Sequence, residues 1–196
     1  MKKNSVLGLL VLSMLAASCS LAAHFPVILE DGNTGMTVNF YGSEFYGMRY
    51  YENARFGYSV SLPDFFTVIV HLNEGPNSCE MALTSEDGSH QFSVTGGFVF
   101  LEEQFQEALK NFAIELEENV KNAVITVNTG DDWWEVSWRG DTESGIRRNI
   151  TNGEIWAECE IRWPAELYNA PTAEASIDDV VELFERSVRS IDFSVG

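Results

Sequence analysis

The feature that most constrains this chain is one long amphipathic stripe standing between two blocks of strands. Leu101, Phe105, Leu109, Phe112, Leu116 and Val120 recur at helical spacing, while Glu103, Glu107, Lys110 and Lys121 fall on other faces. This spacing predicts a helix over about residues 102 to 121. Upstream, "RYYENARFGYSVSLP" alternates at Phe56, Tyr58, Val60 and Leu62 up to Pro63, and reads as a hairpin closed by a proline. "FFTVIVHL" follows as a β-branched and aromatic run. "CEMALTSEDGSHQFSVTGGFVF" forms a second hairpin around Asp87-Gly88, with Cys79, Met81 and Leu83 on one face. Downstream come four more strands, "NAVITVN", "WWEVSWR", "GIRRNIT" and "EIWAECEIRW". In the last of these Ile155, Ala157, Cys159, Ile161 and Trp163 face one way, with Trp156, Glu158, Glu160 and Arg162 on the other. A closing helix carries the stripe Ile177, Val180, Val181, Phe184, Val188 and Ile191, with Ser176 as N-cap, Asp178 and Asp179 in its first turn, and Arg186 and Arg189 near its end. Strands and helices do not alternate regularly. The pattern therefore predicts an α+β domain in which helices flank an antiparallel β-sheet.

The N-terminus gives an address. Lys2 and Lys3 precede an apolar run from Val6 to Ala17, the layout of a secretory signal, and the run is too short to span a bilayer. "LAASCSLAA" can be cut in two ways. Cleavage before Cys19 makes that cysteine the lipid-bearing N-terminus; cleavage after Ala22 or Ala23 discards it. Leu15 to Cys19 is similar to a lipobox, with Ala16 where leucine is usual, and lipidation of Cys19 is the expectation. Acyl chains at about 0.8 kcal/mol per buried CH₂ would supply the only membrane affinity the chain has. Residues 1–23 are thus read as signal, 24–48 as a linker or lead-in marked by Gly32, Gly35, Gly42 and Gly47, and 49–196 as one domain.

Charge narrows the partners. The chain has 12 basic and 30 acidic side chains, net −18; without Lys2 and Lys3 it has 10 against 30, net −20. Such a surface repels phosphate backbones and anionic headgroups, so nucleic acid and peripheral membrane binding are disfavoured. The expectation is a monomer that touches the membrane only through a lipid on Cys19.

The succession "NARFGYSVSLPDFF", "MALTSEDGSHQFSVTGG", a long helix and "IRWPAELYNAPTAEASIDDVVELFERSVRS" resembles the PsbP-like superfamily over about residues 50 to 192. The matching features are Asn53 with Phe56-Gly57-Tyr58, Pro63 at a strand end, and Trp163-Pro164 before the closing helix. That group includes extrinsic photosystem II subunits, a Ran-binding nuclear protein and bacterial exported or lipid-anchored proteins. Where bacterial relatives carry an Asn-Gly-Asp-Gly-type loop, this chain has "NEGPNSC". The resemblance implies an α/β/α sandwich and a non-catalytic envelope protein that acts through a partner or ligand, with no cofactor and no catalytic residue to carry over.

Residue chemistry leaves few alternatives. Cys79 and Cys159 would meet an oxidising compartment, and a bridge closing a loop of about 80 residues would contribute roughly 4 kcal/mol; the alternative is two buried thiols. The acidic runs at Glu30-Asp31, Glu102-Glu103, Glu115 to Glu118 and Asp131-Asp132 raise Ca²⁺ binding, although none follows an EF-hand loop. His24, His71 and His90 are scattered, without metal-ligand spacing. Ser85 to His90 gathers Ser, Glu, Asp and His and raises a serine hydrolase, without a G-x-S-x-G elbow. Arg139-Gly140-Asp141 lies in a hairpin turn and reads as turn chemistry. Trp133 and Trp156 lie on the polar sides of their strands. Either a helix covers them, or they are anchors of a partner surface.

Overall fold

The computed structural model describes residues 29–30, 37–38, 40–42, 48–99, 102–168 and 177–193. In chain order the strands are β1 (Leu29–Glu30), β2 (Thr37–Val38), β3 (Phe40–Gly42), β4 (Met48–Asn53), β5 (Tyr58–Pro63), β6 (Phe66–Glu74), β7 (Ser78–Ser85) and β8 (Gln91–Phe98). Helix α1 (Glu102–Asn119) then leads to β9 (Val124–Thr129), β10 (Trp133–Arg139), β11 (Glu143–Thr151) and β12 (Ile155–Pro164). A 3₁₀ turn at Ala165–Tyr168 and helix α2 (Ile177–Arg189) complete the order.

Two antiparallel meanders, β6-β7-β8 and β9-β10-β11-β12, join edge to edge through β8 and β12 into one seven-stranded sheet. A smaller sheet, β3-β4-β5, lies beside it, and β1 pairs with β2. The chain is therefore a mixed α+β fold dominated by antiparallel sheet. Among the described residues no helix is long and apolar enough to cross a membrane.

Period-two alternation decides which face each strand buries. Ala157, Cys159, Ile161 and Trp163 of β12 join Cys79, Met81, Leu83, Phe92 and Val94 on one face of the large sheet. Tyr51, Tyr58, Val60 and Leu62 of the small sheet and Phe184, Val188 and Ile191 at the C-terminal end pack onto that face. Phe184 is wedged among rings, 5.0 Å from Trp163 and 6.0 Å from Phe65 between centroids. Tyr58 lies over Gly96, where any Cβ would enter its ring. On the opposite face Phe112 and Leu116 of α1, with Val120 just past its end, cover Trp134, Val136 and Trp138. The sheet is thus covered on both sides, by α2 with the small sheet on one and by α1 on the other.

The opening Asn53 and Phe56-Gly57-Tyr58 have a local cause. Asn53 Oδ1 accepts hydrogen bonds from the backbone N–H groups of Arg55 and Phe56 at 3.1 Å, and its Nδ2 donates to the Tyr51 hydroxyl at 3.1 Å. Gly57 takes the left-handed conformation, φ 66°, that the β4-β5 turn requires.

The structure bears on three sequence readings. Within the stretch 24–48, read as a linker or lead-in, β3 pairs with β4 (Phe40↔Tyr51) and extends the small sheet. The disulfide is absent: Cys79 and Cys159 are free, buried thiols. They do share a face, but β8 runs between their strands, with Cys79 opposite Gly96 and Cys159 opposite Val94. Two strand spacings of about 4.8 Å exceed the roughly 7 Å Cα limit for a bridge. Helix α1 ends at Asn119 rather than near 121, and Asn122 turns the chain with φ 55°. Cys19 and Ser176 lie outside the described residues.

Candidate functional site

The α1 side of β11 and β12 carries the most chemistry. Gly145, Arg147 and Asn149 of β11 stand opposite Arg162, Glu160 and Glu158 of β12, so charged side chains point under a helix. Arg147 pairs with Glu160 and, at 3.5 Å, with Glu158, while its guanidinium lies 3.7 Å from the centre of the Phe112 ring. Arg162 donates to Glu160 at 2.6 Å and to Glu143 at 3.4 Å, and reaches Glu115 of α1 at 3.6 Å. Two guanidinium groups here face four carboxylates.

At one end of this network lies a cleft of about 260 Å³ bounded by Val99, Phe105, Ala108, Asn149, Trp156 and Glu158. Its walls come from Val99 just past β8, from Phe105 and Ala108 of α1, and from β11 and β12. Phe105, Ala108, Val99 and the Trp156 indole supply apolar walls; Asn149 and Glu158 supply the polar end. Asn149 is buried, and its Nδ2 donates to Glu158 Oε2 at 3.0 Å. That bond fixes the amide orientation, since turning it would set two acceptors against each other. Asn149 Oδ1 is left without a hydrogen-bond partner. Burial pushes the Glu158 carboxyl above its usual range, with Glu160 and Glu115 adding to the effect, and the Arg147 charge and the Asn149 bond only partly offset it.

The two tryptophans singled out in the sequence are not neighbours. Trp133 pairs with Ile150, which pairs with Ala157, so Trp133 shares the α2 face, whereas Trp156 shares the α1 face. Both are half-buried. Trp133 lies under the Arg148 guanidinium, 4.2 Å from the ring centre, and over Gly130. They do not form one continuous patch, and of the two only Trp156 lines the cleft.

A second depression, about 370 Å³, lies between α2 and β9-β11, with Val124, Thr126, Ser137, Val181 and Glu185 on its walls. None of its lining residues carries a buried polar atom that lacks a partner. Val124 on its rim is 70% exposed on the edge strand.

The other sequence candidates resolve into structure. Asp87 accepts hydrogen bonds from Ser85 Oγ at 2.6 Å and Ser89 Oγ at 2.7 Å, and Ser89 Oγ lies 2.8 Å from His90 Nδ1. The carboxylate thus holds the serines rather than orienting the imidazole, so a nucleophile, base and orienter do not stand in sequence. These bonds hold the Asp87 carboxyl below its usual range, whereas burial lowers His90, which packs edge-on to Phe65 and Phe184. His71 lies 3.6 Å from Glu80. Asp141 of the Arg139-Gly140-Asp141 turn is held by Asn122 at 2.9 Å and Lys121 at 3.2 Å. Among the described residues no three His, Cys, Asp or Glu side chains converge into a metal-ligand set.

No protein-family model and no curated protein matches this chain. The functional reading therefore rests on the residues themselves.

The sequence placed Trp156 and Glu158 on one side of β12 and Phe105 on the apolar stripe of the helix, but did not single out Asn149 or Ala108. The available signal was an aromatic ring among charged residues on the strand face that an amphipathic helix must cover.

Proposed function

We propose that this protein is a non-catalytic binding module of the cell envelope, and that the cleft beneath α1 takes a small, largely apolar ligand. The observation that carries this reading is the cleft itself: three apolar side chains and an indole converge on two polar groups in a space larger than the roughly 150 Å³ cavity that holds benzene. The address rests on the basic start, the apolar run and Cys19, with the lipid on Cys19 as the tether. The PsbP-like assignment is supported by the order of elements, by the Asn53 turn, and by the helices on either side of the sheet.

Ligand-observed NMR with a fragment library tests the cleft. Fragments bind the wild-type chain and lose binding in Ala108→Phe, which fills the space from the helix side. Fragments that bind both equally, or an absence of binders, would refute the cleft as the site. The tether is tested by fractionation: wild-type protein stays with membranes and Cys19→Ala is released. Wild-type protein that is free, with an N-terminus after Ala22 or Ala23, would refute it.

A further inference from the structure

We propose that the ligand of this cleft is a small organic ammonium, an aromatic or branched alkyl group bearing a protonated amine. This deepens the reading of the cleft as a binding site and rests on it. Three observations converge.

The first is the unmatched acceptor. Asn149 is 3% exposed, its Nδ2 is committed to Glu158, and its Oδ1 has no hydrogen-bond partner. A buried carbonyl oxygen in that state favours a ligand that brings an N–H or O–H donor. A carboxylate, which only accepts at neutral pH, leaves the oxygen unmatched.

The second is charge. Arg147 and Arg162 carry two positive charges among Glu115, Glu143, Glu158 and Glu160, a local excess of two negative charges. Glu158, at the cleft, has only a long ion pair: its contact with Arg147 is 3.5 Å, while Arg147 makes its closer contact with Glu160. Burial displaces the Glu158 carboxyl upward, and the neighbouring Glu160 and Glu115 charges add to it. An ammonium supplies that charge and three donors, enough for Glu158 and Asn149 together. The protein as a whole, at net −18, draws cations toward it.

The third is the wall. Phe105 and Trp156 line the cleft, and an indole face stabilises a neighbouring cation while the apolar lining receives the carbon part of the ligand. The cleft volume, about 260 Å³, suits one ring with a short side chain.

The test uses three probes of nearly equal shape, phenethylammonium chloride, 2-phenylethanol and sodium phenylacetate, titrated into the full chain by calorimetry at pH 7. The ammonium binds at least tenfold more tightly than the alcohol, and the carboxylate binds most weakly. Glu158→Gln keeps the side-chain shape, removes the charge and abolishes the preference for the ammonium over the alcohol. Asn149→Leu weakens both donor-bearing probes. Should Asn149→Leu fail to fold, the wild-type ranking and Glu158→Gln still decide. If the alcohol equals the ammonium, or phenylacetate binds best, the ligand class is overturned while the cleft stands. If none of the three binds although library fragments do, the ammonium assignment falls. If fragments also fail, the cleft falls with it.

Discussion

The clamp between β10 and α2 gives the sharpest stability prediction. Glu135 faces α2 with its side chain only 4% exposed, and Arg189 in the last helical turn grips both of its oxygens, Nε to Oε2 at 2.9 Å and Nη2 to Oε1 at 2.8 Å. Arg148 adds a longer contact at 3.3 Å. The perturbation is Arg189→Met, which keeps most of the aliphatic stem and removes the fork. Hydrogen bonds to charged groups contribute about 1.5–3 kcal/mol each, and removing one partner of a buried pair costs roughly 3–5 kcal/mol. Arg189 is 49% exposed and Arg148 remains beside the carboxylate, so water and the second arginine relieve part of that. The expected loss is about 2 kcal/mol, a substantial share of a stability of roughly 5–15 kcal/mol. Burial alone would raise the Glu135 carboxyl, but Arg189 and Arg148 outweigh it and hold the group below its ordinary value of 4.5. A depressed carboxyl stabilises the fold above its unfolded-state pKa and loses that contribution as pH falls through the folded-state value. The deficit of Arg189→Met is therefore full at pH 7 and shrinks as pH falls through the folded-state value, where Glu135 takes up its proton. Urea unfolding at pH 7 and pH 3.5, followed by tryptophan fluorescence, measures both. Glu185→Gln serves as control, because the Arg189–Glu185 pair at 2.9 Å is an exposed helical pair worth a few tenths of a kcal/mol. A deficit under about 0.5 kcal/mol, or one equal at both pH values, would show that Arg189 acts only as a surface charge.

Phe184→Ala empties a site among Phe65, Phe66, Trp163 and His90 and should cost about 3–5 kcal/mol in urea unfolding; a cost near 1 would mean that the neighbouring rings close the gap. Gly96→Ala drives a methyl into the Tyr58 ring and should cost about 1–3 kcal/mol, whereas an unchanged midpoint would place Tyr58 elsewhere. Cys79 and Cys159 should react slowly with a thiol reagent in the native protein and give two free thiols in denaturant without reductant, in addition to any from Cys19. Burial also raises both thiols, which slows the native reaction further. Glu158→Gln should be as stable as wild type or more so at pH 8, because a carboxyl raised in the folded state costs stability as pH rises past its unfolded value. That advantage fades below about pH 4, and an advantage independent of pH would argue against a strained carboxylate.

Much of this fold was legible because alternation reports burial wherever a strand has one wet and one dry side. Ile155, Ala157, Cys159, Ile161 and Trp163 were read as one face; the last four are buried and Ile155 is half-buried. The stripe of α1 likewise lands Phe112, Leu116 and Val120 in a core. Alternation says nothing, however, about which strand lies beside which. Cys79 and Cys159 were correctly placed on one face, yet lateral order is set by pairing of the two meanders, and that pairing puts β8 between them. The three-residue strand β3 was missed for a different reason: Phe40–Gly42 is too short to show a period and gains its identity only by pairing with β4.

The cleft was less legible, and Trp133 and Trp156 show why. Each was assigned a side of its own strand, but whether two such sides coincide depends on the register through β11, where Thr151 pairs with Trp156 and Ile150 with Trp133. One step along the strand separates the two faces of the sheet. The β12 side that carries Trp156, Glu158, Glu160 and Arg162 was read as polar, to be covered by a helix or used as a partner surface. A covering helix changes what those residues do. Wherever α1 lies over arginine and glutamate together, as at Arg147 and Glu160, the charges neutralise one another under it. Beside Phe105 and Ala108 of α1, Glu158 keeps only a long contact with Arg147, and with Asn149 it lines an apolar hollow. Polarity that the strand pattern explains as exposure becomes, once a helix is laid across it, a pair of acceptors with too few donors.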